Sequence, residues 1–184
     1  MKKGDEASVL ENVGDNLRRL RRDTGMSQTT LAERSGVSRR TIINLEAGEA
    51  NISLSGLDRL ATALDTTFVS LVAAPSATPT AIDAVAWRGR TAESIATLLG
   101  SAPASREAQL WSWSLAAGDR YDAEPDADGW HEMILVISGQ LLIQFENNEL
   151  VLNPGDHSTY SSAQPYAYAN PGKSTTRFAR AVIS

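Results

Sequence analysis

The sequence contains no cysteine, which excludes disulfides and every zinc site built on thiolates. Its only histidines are His131 and His157, too few for most imidazole-based metal centres. No apolar run approaches the ~20 residues that cross a bilayer. After Lys2 and Lys3, acidic residues stand where a signal peptide would place its apolar segment, so the expected location is the cytoplasm. Glycine and proline are sparse, 13 and 7 of 184 residues, against 42% hydrophobic and 21% charged residues. That composition excludes fibrous and disordered classes and fits a globular chain of one medium or two small domains.

The net charge of −5 is unevenly spread. Residues 1–74 hold ten Lys/Arg and ten Asp/Glu, whereas residues 75–184 hold seven and twelve. All the excess acid therefore belongs to the second half. The first half can still present local positive charge to nucleic acid, through Arg18, Arg19, Arg21 and Arg22 in "RRLRR" and through Arg39 and Arg40.

Between the halves lies "AAPSATPT", small, uncharged and interrupted by Pro75 and Pro79, the composition of an exposed linker. Before it, Val13, Leu17 and Leu20, then Leu54, Leu57, Leu60, Ala61 and Leu64, recur at helical spacing. After it come short β-rich runs, "AQLWSWSL", "MILVISG", "QLLIQF", "ELVL" and "TTRFARAVI", separated by turns at Gly118, "ENNE" and "NPGD". The expected organisation is an all-α domain over residues 1–72, a linker over 73–83 and an all-β domain over 84–184.

In "SQTTLAERSGVSRRTIINLEAGE", Ser27 is placed to cap a helix and Gly36 to end it in a left-handed turn. Ser38 caps the next helix, Val37 fills the turn, and Ile42 and Leu45 face inward. Arg39, Arg40, Thr41 and Asn44 are left outward on its first turns, where a recognition helix meets base edges. With "LRRLRR" before it and "LEAGEANIS" after it, the segment Val13–Val72 resembles the Xre/Cro/C1 family of five-helix, lambda-repressor-like DNA-binding domains. The resemblance implies that Gln28 touches the phosphate backbone, that Arg39, Arg40 and Asn44 reach bases, and that Ser38, Asn51 and Ser53 make further backbone contacts. It also implies an internal Arg21–Glu46 pair. Arg gripping guanine and Asn gripping adenine are each worth roughly 1–3 kcal/mol of discrimination.

The stretch "DADGWHEMILVISG" ends in a Glu, six mostly apolar residues and a Gly. With "NPGD" and "PYAYAN" it makes residues 105–184 resemble a cupin, a jelly-roll β-barrel. Where a cupin carries two histidines, a glutamate and a third histidine, this chain carries Asp126, Asp128, Glu132 and Tyr166. Only the glutamate matches, and His131, its neighbour, should point to the other side of its strand. The residues that hold iron or zinc in such enzymes are thus missing, and no catalytic residue or transition metal is expected.

Several accounts of the acidic positions stay open. Asp126 and Asp128 form an exposed turn in "EPDADG", or they converge with Glu132 and need a neutralising partner: an internal arginine such as Arg120 or Arg177, a hard divalent cation, or a cationic ligand. Trp111 and Trp113 share one strand face, Tyr166 and Tyr168 another, and Trp130 has the parity of Glu132. These residues either fill the barrel core or wall a small-molecule cavity with an acidic corner. The combination resembles Xre-type regulators with a C-terminal cupin sensor. It implies a homodimer on a palindromic double-stranded operator, governed by a small-molecule effector; the alternatives are a barrel that only dimerises and a metal-dependent enzyme.

Overall fold

The structure, a computed structural model, describes residues 9–49, 52–74, 78 and 81–184, with side chains from residue 12 onward. The chain divides into two compact units, Met1–Ala77 and Thr78–Ser184.

Among the described residues the first unit is a set of five helices: α1 (Val9–Asp23), α2 (Gln28–Ser35), α3 (Arg39–Glu46), α4 (Leu54–Ala63) and α5 (Phe68–Val72). Their limits follow from side-chain capping. The hydroxyls of Ser27, Ser38, Ser53 and Thr67 accept the first-turn N–H groups of Thr30, Thr41, Gly56 and Ser70, at 3.0–3.2 Å. Gly36 adopts φ +69° and its N–H closes α2 on the Ala32 carbonyl. Leu17, Leu31, Ile42, Leu45, Leu60 and Leu71 form the core. α1 crosses α3 so closely that a Cβ on Gly14 would stand 2.6 Å from the Leu45 carbonyl oxygen. Asn16, itself buried, donates to the Leu71 and Ala73 carbonyls at 3.0 Å and ties α1 to the end of α5.

Among the described residues the second unit contains ten strands: β1 (Ala84–Arg88), β2 (Ile95–Ala102), β3 (Ala108–Leu115), β4 (Arg120–Ala123), β5 (His131–Ser138), β6 (Leu141–Phe145), β7 (Glu149–Leu152), β8 (His157–Ser161), β9 (Tyr166–Ala169) and β10 (Thr176–Ile183). They form two antiparallel sheets, β1-β2-β3-β10-β5-β8 and β4-β9-β6-β7, a jelly-roll arrangement. Strict alternation runs along β5, so Glu132, Ile134 and Val136 point into the barrel while His131, Met133 and Leu135 point out. The glycine that closes this stretch has a steric reason. Gly139 sits at φ +76°, and a Cβ there would lie 2.5–2.7 Å from Thr176.

Candidate functional site

On the helical unit, α3 presents an exposed face that is polar apart from Ile43. Ile42 and Leu45 are buried while Arg39 and Arg40 are exposed, and Thr41 and Asn44 are half-buried beside them. Among the described residues no side chain holds Arg39 or Arg40, so both guanidinium groups can meet a ligand. The serines and Thr41 already have structural duties. Ser38 caps α3 and its hydroxyl lies 2.8 Å from that of Thr41, and Ser53 caps α4. Asn51 lies outside the described residues.

The "RRLRR" cluster is less free than its composition suggests. Arg21 grips Glu46 with two parallel bonds, Nε to Oε1 at 2.6 Å and Nη2 to Oε2 at 2.9 Å. Arg18 donates to the Glu46 carbonyl, and Arg19 pairs loosely with Asp23. Burial works against the Glu46 charge, but the Arg21 and Gln28 hydrogen bonds outweigh it and hold the carboxyl below its usual range. Gln28 donates its amide to Glu46 Oε2 at 3.0 Å. That residue therefore braces α2 against α3, a role the sequence did not suggest.

Inside the barrel, Glu132 and Arg180 face each other from neighbouring strands at 3.1 Å, 1% and 4% exposed. The carboxylate also accepts from the phenols of Tyr160 and Tyr166 at 2.7 Å and from that of Tyr168. Burial, with the Glu132 charge adding to it, pushes all three phenols well above their ordinary value and keeps them donors. Burial opposes the Arg180 charge too, but Glu132 holds it protonated. The guanidinium lies over the rings of Trp111 and Trp113, 4.8 and 5.0 Å from their centroids. Trp113 in turn packs on Trp87, Tyr121, Tyr168 and Phe178 at 4.9–5.7 Å.

Several expectations for the acidic corner change. The neutralising cation is Arg180. Arg177, of the opposite parity, points outward, and Arg120 pairs with Asp122 at 2.6 Å on the surface. A cationic guest is therefore not required by Glu132. Asp128 is exposed and does not join the site; among the described residues no three acidic or histidine side chains are grouped to hold a metal ion. Asp126 stays near it. Burial raises its carboxyl to about 6, opposed by the Ser162 hydroxyl, raised further by Glu132 and lowered by Arg180. Trp130 is buried beyond the start of β5. Two donors in this region, Trp113 Nε1 and Arg180 Nε, are buried without a partner among the described residues. A groove of about 580 Å³ opens elsewhere, lined by Trp87, Arg90, Asp119 and Arg120 among others, none of them an expected pocket residue.

Comparison with known proteins places both units. The helix-turn-helix family model matches residues 17–71. The HTH-type transcriptional regulator SutR of Escherichia coli is 29% identical over 167 residues, spanning 88% of this chain and 89% of that protein. The uncharacterized HTH-type transcriptional regulator y4dJ of Sinorhizobium fredii is 40% identical over 67 residues, 36% of this chain and 87% of that protein. The crystal structure of an HTH_3 family transcriptional regulator from Vibrio cholerae shares the fold over 96% of this chain and 97% of its own, with a TM-score of 0.69 and 20% identity.

Proposed function

Because this chain belongs to the HTH-type transcriptional regulators, we propose that it binds a two-fold operator in the cytoplasm as a homodimer. Residues 1–72 would read the DNA, 84–184 would dimerise and sense a small effector, and 73–83 would join them. The carrying observation is α3, where Arg39, Arg40 and Asn44 stand on one face while neighbouring arginines are tied up in the fold. Arg39, Arg40 and Asn44 take the bases, with Thr41 presented to the base edges beside them; Gln28, Ser38, Asn51 and Ser53 take the phosphates. Selection from a random DNA pool with the purified chain should enrich a palindrome whose half-sites lie about 34–36 Å apart. Failure to enrich any motif would contradict this.

The effector reading of the barrel is favoured by Trp113 Nε1 and Arg180 Nε, buried donors that lack an acceptor. A guest with a carbonyl or carboxylate would suit these donors better than an amine. No catalysis is invoked, because Glu132, alone in matching the metal-binding pattern, is engaged by an arginine and three tyrosines. A thermal-shift screen of small carboxylic acids beside amines tests the guest class. Stabilisation by neither, in a chain that still dimerises, would leave the barrel a scaffold.

A further inference from the structure

The outer face of the six-stranded sheet has an apolar centre where a solvated face should be polar, flanked by Ser112 and Ser114 of β3 and by Thr159 and Ser161 of β8. Along β5 its outward positions are Met133, Leu135 and Ile137. Register sets Ala181 beside Met133 and Ala179 beside Leu135 on β10, and Leu110 of β3 beside Ala181. Ile137 is 59% exposed, Leu110 49% and Leu135 48%. Charge is confined to the margins. Arg177 stands at one end, His131 at the other and His157 on the edge strand β8, and no outward position of β3, β10, β5 or β8 is acidic. This absence occurs in the half of the chain that holds twelve Asp and Glu.

We infer that this face is the surface on which a second copy of the chain docks, sheet against sheet. The inference rests on the homodimer reading above and assigns its interface. A two-fold axis brings each position near its own copy, so a self-associating face must lack like charges at its centre, and this one does. With about 4.8 Å between strands and 3.3 Å per residue, its five strands from β2 to β8 span roughly 600 Å². That approaches the ~800 Å² each partner contributes to a stable interface. An apolar field within a face of this size stands at the upper end of what monomers leave to water, where such patches mark interaction sites. Nucleic acid or an anionic membrane would find Arg177 and little else.

The experiment compares sedimentation of the full chain with that of two variants. In Leu135→Asp/Ile137→Asp, buried carboxylates would oppose association; in Met133→Thr/Leu135→Thr/Ile137→Thr, strand propensity is kept so that folding is not at issue. Wild type should be dimeric at micromolar concentration, and both variants should raise the dissociation constant by about 100-fold or more with unchanged circular dichroism. Val151→Asp, on an exposed apolar position of the other sheet, should remain dimeric. A monomeric wild type, variants that stay dimeric, or a face that instead retains another protein would overturn the assignment. Specific DNA binding by a monomeric wild type would refute the interface alone, whereas variants that dissociate in a chain without operator preference would refute the DNA reading alone.

Discussion

Arg180 and Glu132 pair at 3.1 Å in the centre of the β-barrel, each the other's compensation for loss of water. Taking away one partner leaves a buried charge, so Glu132→Gln should destabilise the barrel by about 3–5 kcal/mol. The double variant Glu132→Gln/Arg180→Met, which removes both charges and keeps an amide oxygen for the three phenols, should recover most of that loss. Denaturant unfolding followed by tryptophan fluorescence reads both. A double variant as unstable as the single would show that the pair stabilises beyond mutual neutralisation.

In the helical unit, the bidentate Arg21–Glu46 pair makes a parallel case. Glu46 also accepts from Gln28, so Glu46→Ala should cost a few kcal/mol and Gln28→Ala about 1 kcal/mol. Thermal melts of the full chain, with helical ellipticity as readout, measure this. An unchanged melting temperature for Glu46→Ala would show that the pair contributes nothing.

Asp126 gives the barrel a pH dependence of known sign. Its folded value of about 6 stands above the ordinary 3.8, so the folded chain binds this proton more tightly than the unfolded one. Its favourable contribution is fully present below the unfolded value and is lost as pH rises through 6. Asp126→Asn should therefore stabilise the barrel at pH 7.5 by about 1 kcal/mol, the full shift being reduced by partial solvation. That advantage should shrink on going to pH 4. A constant difference between variant and wild type across pH 4–7.5 would contradict the burial of this carboxyl.

Where the signal was local, the sequence carried it. Ser27, Gly36 and Ser38 announce the two helices because caps act within one turn, and strand parity alone separates inward Glu132 from outward His131. Partners from distant strands were harder. The partner of Arg180 lies across a sheet and leaves no local trace, though in "TTRFARAVI" the residue alternates with Phe178 and Val182, which marks it as inward. Tyr160 lies in "HSTYS", a polar run that reads as turn until pairing with β5 sets it opposite Glu132. Strands β1, β2 and β4 carry mixed, short patterns whose burial comes from neighbouring strands and not from their own alternation.

Operator recognition by this protein requires that α3 read bases. The most direct measurement is the ratio of affinities for the selected operator and for random DNA, at one salt concentration, in wild type, Arg39→Ala and Asn44→Ala. Each substitution should cost about 1–3 kcal/mol on the operator and far less on random DNA, so the ratio should fall. Equal losses on both DNAs would show that these side chains grip phosphate, and would contradict the assignment of α3 as the recognition helix.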